Sequence, residues 1–277
     1  AEELAITNSR VDGLEARLNN IEAGSFSETT TASFSADMAI GAVDGGSSTA
    51  DDAVEAYYGF QIDLNTSFTG EDSLDISIDA GNAGGAVGEF DLNGGVTTAT
   101  NTTTNDILVV DGVSYTFPLG GATVIVGDNT DGSALFSTAC VYGGPSNTLD
   151  DCGAASAPFV GGGTMVGASY DFENGFTVAA GYAGQGSTTS GLLTDEGLDS
   201  YGFNAMYTGD NYGVSLSYAT VEATTASDDN FTAINANLQP EGFPSISIGY
   251  EWGVDGSEVA AQDGLCLLYT SPSPRDS

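Results

Sequence analysis

The sequence predicts an all-β chain: an antiparallel, up-and-down sheet forming part of a transmembrane β-barrel, with a short coiled-coil helix in front. Three observations predict it. Apolar and polar residues alternate with period two over stretches longer than the usual globular strand. The connections between those stretches alternate between short turns and long loops, as up-and-down membrane strands require. Aromatic residues gather beside the short turns and again toward the opposite strand ends, where two membrane interfaces would lie.

The helix comes first, over residues 1–24. Leu4, Val11 and Leu18 are spaced by seven, and Leu14 and Ile21 follow Val11 and Leu18 by three. That is an a/d seam, with Thr7 a weak first d position. Arg10 and Arg17 then fall at g, and Glu15 and Glu22 at e. A g residue meets the next e residue of a neighbouring helix, so Arg10 can pair with Glu15 of another subunit and Arg17 with Glu22. The tandem R-V-x-x-L-E, R-L-x-x-I-E resembles the signature of short trimeric coiled coils. A lone amphipathic helix with internal charge pairs is the alternative. Gly24 ends the helix.

From residue 25 to 265 the period is two. In the first strand Phe34, Ala36, Met38 and Ile40 oppose Ser33, Ser35 and Asp37. In the second, Val54, Ala56, Tyr58, Phe60, Ile62, Leu64 and Phe68 oppose Glu55, Tyr57, Gln61, Asp63, Asn65 and Ser67. In the third, Leu74, Ile76 and Ile78 oppose Asp75, Ser77 and Asp79. Further strands are expected near 107–117, 121–128, 164–172, 176–184, 199–208, 211–221, 230–238 and 244–253, about eleven in all. Short turns are TGED, PLGG, ENG, TGDN and QPEG; long loops fall near 44–52, 81–106, 129–163, 185–198 and 222–229. Phe68, Phe117, Phe172, Phe176, Tyr207, Tyr212 and Phe243 flank the short turns. Tyr58, Tyr182, Tyr201, Tyr218, Tyr250 and Trp252 lie toward the other ends. A β-sandwich has shorter strands and unsorted loops, and a solenoid would show a fixed repeat, which is absent.

Composition narrows the function. The 277 residues carry a net charge of -36, with no histidine and only three basic residues, which are Arg10, Arg17 and Arg275. Imidazole bases, lysine Schiff bases and Ser–His–Asp or Cys–His sites are excluded, as are histidine zinc sites. Carboxylate-only chemistry survives, but plentiful carboxylates usually form a solvated surface. Nucleic-acid binding is disfavoured, because almost nothing could neutralise phosphates. No apolar run is long enough for a membrane helix, and no signal peptide is visible. The tail CLLYTSPSPRDS, residues 266–277, breaks the pattern and looks like in-frame translation of a sequencing adapter. It is therefore left out of the fold expectation, and the natural protein is expected to continue beyond both ends of this chain.

The heptad enters the first strand from the short-turn side, which in a bacterial outer membrane is the periplasm. The opening ELAITNSRVDGLEARLNNIEAGSFSETTT, followed by a long first strand, resembles the outer-membrane porins of cyanobacteria. The resemblance spans 1–265 and is most specific over 3–31. It implies a periplasmic S-layer-homology domain before residue 1, reaching the cell wall, then a coiled-coil linker and a barrel grouped with carbohydrate-selective porins, some described as iron-uptake porins. No sugar-site motif transfers residue by residue. A closed barrel of about sixteen strands would leave an aqueous channel.

The expected function is passive diffusion of small hydrophilic solutes, with no cofactor. The partners would be two further copies of the chain in a homotrimer, together with outer-membrane lipid and lipopolysaccharide. The polar strand faces would line the water: Asp37, Glu55, Gln61, Asp63, Asn65, Asp75, Asp79, Asp171, Asn235 and Glu251 are the wall candidates, and acidic walls favour cations. The longest loop, 129–163, holds Cys140 and Cys152. An oxidising compartment favours a disulfide there, worth about 3 kcal/mol in the chain-entropy model; two free thiols are the alternative. The loop would narrow the lumen, as one long loop often does in porins. GDNTDG, 127–132, faintly resembles a calcium loop but lacks EF-hand spacing, so a turn is expected there. Calcium bridging of acidic outer loops is an open reading. The competing functions are a surface or wall anchor without transport and, against the missing histidine and lysine, an outer-membrane enzyme.

Overall fold

A computed structural model describes residues 29–41, 54–82, 108–140, 152–186, 191–194, 197–222, 228–254 and 261–270, with backbone alone at Glu55, Val254 and 261–270. The heptad residues Arg10, Val11, Leu14, Glu15, Arg17, Leu18, Ile21 and Glu22 lie outside them. Twelve strands form one antiparallel sheet in sequence order. They are β1 Thr30–Gly41, β2 Glu55–Thr66, β3 Ser73–Gly81, β4 Val109–Leu119, β5 Ala122–Asp131, β6 Gly162–Asp171, β7 Phe176–Gly184, β8 Asp199–Thr208, β9 Tyr212–Val221, β10 Asp229–Leu238, β11 Ser245–Val254 and β12 Ala261–Thr270. Eleven were expected. The twelfth takes in residues 266–270 of the adapter-like tail, paired as Gly249↔Cys266 and Ser245↔Thr270. The free edge of β11 offers unpaired N–H and C=O groups, and extended chain beside it completes the ladder. β1 and β12 are the edges of this order.

Short and long connections alternate as the sequence predicts. The short ones are 67–72, 120–121, 172–175, 209–211 and 239–244; the long ones are 42–54, 82–108, 132–161, 185–198 and 222–228. GDNTDG is corrected: instead of a turn it is the end of β5, with the register to β6 shifting between Gly127 and Thr130. Asp128 there accepts the Thr164 hydroxyl at 2.7 Å, and Asp131 accepts the Ser133 N–H at 2.8 Å. Both carboxylates are thus engaged by protein donors.

The two faces of the sheet are reversed relative to a soluble protein. Along β9, Leu216 is 50% exposed while its neighbours Ser215 and Ser217 are 1% and 0% exposed. On β1, Phe34, Met38 and Ile40 are all exposed, Met38 to 83%. Ile234, Ile246, Ile248, Tyr250 and Trp252 are exposed too, while Asn204, Asn235 and Ser247 are buried. Period-two alternation explains both sets, because successive side chains point to opposite faces. Aromatic rings pack at the short-turn ends, as Tyr170–Phe172 at 4.8 Å, Phe172–Phe176 at 5.5 Å and Tyr207–Tyr212 at 5.8 Å between centroids. Tyr250 and Trp252 stack at 5.7 Å toward the other end.

Candidate functional site

The polar face divides into two walls. Over β6–β11 it is covered by the loop between β5 and β6. The outgoing limb starts where Gly132 donates its N–H to Gly161 at 3.2 Å. Asn204 of β8 then clamps Ser137 in both directions, accepting its N–H at 3.0 Å and donating to its carbonyl at 2.9 Å. Ser215 of β9 accepts the N–H of Ala139 at 2.9 Å. Cys140 is disulfide-bonded to Cys152, with Cα atoms 5.9 Å apart, so the far end of one limb is tied to the start of the other.

The returning limb is fixed by a carboxylate. Glu251 of β11 accepts the N–H groups of Ser156 at 3.0 Å and Ala157 at 2.7 Å through one oxygen. Ala154 and Ala157 pack with Ala233 of β10, and Phe231 joins them. Ser133 accepts the N–H of Val160 at 2.9 Å and joins the two limbs. Two glycines let the loop backbone come this close. A Cβ on Gly181 would run into the carbonyl oxygen of Gly132, and one on Gly249 into that of Cys152. A buried loop must find partners for its own N–H and C=O groups. Here the polar side chains of the sheet supply many of them.

The second wall, β1–β3 with the adjoining part of β4, is organised in rungs across the strands. Asn65 pairs with Thr31 on one side and Asp75 on the other. Asp63 pairs with Ser33 and Ser77, and Gln61 with Ser35 and Asp79. Neutral donors hold the carboxylates. Asp63 Oδ1 accepts from Gln61 and Ser77, both at 2.8 Å. Asp75 accepts from Asn65 and Ser73, both at 2.6 Å. Asp37, Asp63 and Asp75 are half-buried and Asn65 is exposed. Asp79 is 9% exposed, and its Oδ1 has no hydrogen-bond partner.

The wall candidates therefore separate. Asp37, Gln61, Asp63, Asn65, Asp75 and Asp79 share the β1–β3 wall. Asn235, 1% exposed, and Glu251, 9% exposed, lie beneath the loop. Asp171 sits at the short-turn end, where it accepts the N–H of Glu173 at 2.8 Å. Glu55 is placed by its backbone only, opposite Gly41. Sequence reasoning did not single out Asn204, Ser215 or Ser133. Their alternation marks the polar face, but nothing in it says which polar residues a distant loop will use.

A further hub lies in the turn 67–72. Asp72 accepts from the Tyr115 hydroxyl at 2.6 Å, from the N–H groups of Phe68 and Thr69, and from the Ser67 and Thr69 hydroxyls. The Tyr115 hydroxyl first, and the Thr69 and Ser67 donors with it, hold this carboxyl well below the usual range against the opposing effect of burial.

Among the described residues no group of three acidic or thiol side chains converges as a metal site would. Nor is any helix there long and apolar enough to cross a membrane, which says nothing of strands. No protein-family model and no curated protein matches the chain. Among solved structures, a mutant of the Rh. blastica porin is similar at 11% identity and TM-score 0.48, over 87% of this chain and 81% of that one. A structure described as "Asymmetric conductivity of engineered proteins" is similar at 12% and 0.49, over 88% and 78%. A loop-deletion mutant of OmpT, an outer membrane protein of Vibrio cholerae, is similar at 13% and 0.38, over 87% and 88%. At those TM-scores the likenesses carry no weight for what this chain does.

Proposed function

We propose that the chain is the channel-forming part of an outer-membrane porin, passing small hydrophilic solutes by diffusion with a preference for cations. The observation that carries this reading is the reversed sheet. Exposed Phe, Met, Ile, Leu, Tyr and Trp on one face suit hydrocarbon, and buried Ser, Asn, Asp and Glu on the other suit water or an inward loop. A soluble sheet with this surface would expose far more apolar area than such proteins tolerate. Strands of 9 to 12 residues rise roughly 30–40 Å. Tilted as barrel strands are, that spans the apolar core of a bilayer. Sorted connection lengths and aromatics at both strand ends support the same reading.

In this proposal the loop 132–161 narrows the passage from the β6–β11 side. The cation preference follows from charge: all three basic residues lie at positions 10, 17 and 275, so no protein cation stands in the sheet. The heptad over 1–24 supports a homotrimer held on the periplasmic side, with lipid and lipopolysaccharide around the barrels. Conductance tests the central claim. The full chain reconstituted in planar bilayers should show stepwise ion currents, and a protein that inserts without conducting would reject it. Arg10→Ala with Arg17→Ala should loosen the trimer; an equally heat-stable double variant on gels would reduce the heptad to a linker.

A further inference from the structure

We infer that Cys140 is a thiol-exchange site: uncharged or ammonium-bearing thiols of low molecular weight attack its sulfur from a cavity at the short-turn end and untie the Cys140–Cys152 bridge. The two sulfurs of the bridge differ in access. Cys152 is fully buried. Its carbonyl lies against Gly249 and accepts the Asn235 amide at 3.4 Å, so that end of the bridge is held on β10 and β11. Cys140 is half-buried and lines a cavity of about 390 Å³ between the outgoing limb of the loop and the short-turn ends of β8, β9 and β10. Thr208, Asp210 and Gln239 line the same cavity and are exposed, so it opens to solvent.

A disulfide opens when a thiolate reaches one of its sulfurs, so access decides which sulfur is attacked. The cavity leads to Cys140, whereas a path to Cys152 would pass through packed protein. The incoming thiol gives its proton to water, and its sulfur bonds to Cys140 Sγ as the bond to Cys152 Sγ breaks. The electron pair leaves on Cys152 Sγ, which takes up a proton. One thiol is consumed and one is formed, so the mixed disulfide at Cys140 needs no oxidant. A second molecule of the same thiol attacks the reagent sulfur of that adduct. The reagent leaves as its own disulfide, and both cysteines are reduced. Charge selects the reagent. The described residues include no lysine, arginine or histidine, and Asp210 is the charged side chain among those lining the cavity. A thiol that also carries a carboxylate or sulfonate is therefore repelled. Thr138 and Asn237, also in the lining, suit a hydrophilic one.

The test exposes the folded, oxidised full chain briefly to cysteamine, mercaptoethanol or mercaptoethanesulfonate, quenches it in acid with a maleimide, and maps the products by mass. The reagent should be found on Cys140 and the maleimide on Cys152, about tenfold over the reverse pattern. Rates per thiolate should fall from cysteamine through mercaptoethanol to mercaptoethanesulfonate. Asp210→Asn, at an exposed turn position, should narrow that span about threefold. Three results would each overturn the exchange site: reagent chiefly on Cys152, a bridge that resists all three thiols until the protein unfolds, or a span unchanged by Asp210→Asn. None of them bears on conduction, which the bilayer measurement decides separately.

Discussion

The two walls of the polar face use the same residue types for different ends. Under the loop, Asn204, Ser215 and Glu251 spend their polar atoms on backbone groups of residues 137–157 and are almost sealed from solvent. On β1–β3, Asp37, Asp63 and Asp75 bond at most to side chains of their own wall or the adjoining strand and keep part of their surface open. The covered wall is a structural interface that happens to be hydrophilic. The open wall keeps the carboxylates of Asp37, Asp63 and Asp75 available, while Asp79 on the same wall is as closed off as Glu251. A carboxylate on the polar face therefore cannot be assigned a role from its alternation alone, because what lies against it decides.

Substitutions can break this contrast, beginning on the covered side. Gly249→Val should have the largest effect, since its side chain would occupy the place of the Cys152 carbonyl. Displacing the loop should cost about 3 kcal/mol or more and raise single-channel conductance; a variant of wild-type conductance and heat stability would show that the loop tolerates displacement. Opening the Cys140–Cys152 bridge should cost about 3 kcal/mol, read as a lower unfolding temperature in reductant. The Cys152→Ser variant should match the reduced protein and respond to reductant no further.

Glu251→Gln keeps an acceptor but loses its charge, and should cost about 1–2 kcal/mol. Faster amide exchange at Ser156 and Ala157 would locate the loss; unchanged protection there would show that the packing of Ala154 and Ala157 holds the limb. On the open wall, Asp63→Asn should alter stability by no more than about 0.5 kcal/mol, while moving selectivity. Substantial unfolding of that variant would erase the distinction between the walls.

The smallest effect at ordinary pH belongs to Asp72. Its carboxyl is held below the usual range by Tyr115, so its folded value is lower than its unfolded one. The stability it lends the turn is complete above the unfolded value and is lost as pH falls through the folded one. Its contribution should be constant from neutral pH down to the usual carboxylate range and disappear only in stronger acid. In acid titration, Asp72→Asn should lose that lower limb; an unchanged profile would assign the acid sensitivity elsewhere.

Much of the fold is legible in the residues. The alternation of β9, YGVSLSYATV, assigns every side chain to a face without any knowledge of its neighbours, because the strand period is a local property. Asp-, Asn- and Gly-rich turns set the hairpins, and each hairpin aligns its own two strands. At GDNTDG the residues suit a bulge and a turn equally well, and only the pairing of Thr130 with Gly163 separates them.

The sequence by itself determined the class of the sheet, its strand order, its two chemically opposed faces and the scarcity of positive charge. These follow from local period, turn chemistry and composition. Only the tertiary structure decided that the loop after β5 crosses to β11, that Asn204, Ser215 and Glu251 hold it, and that the wall of Asp63 and Asp75 is the one left with its charge free. Those outcomes depend on contacts between residues nearly a hundred positions apart, as Ala157 and Glu251 are. They also depend on glycines, whose importance lies in the space they leave for another backbone.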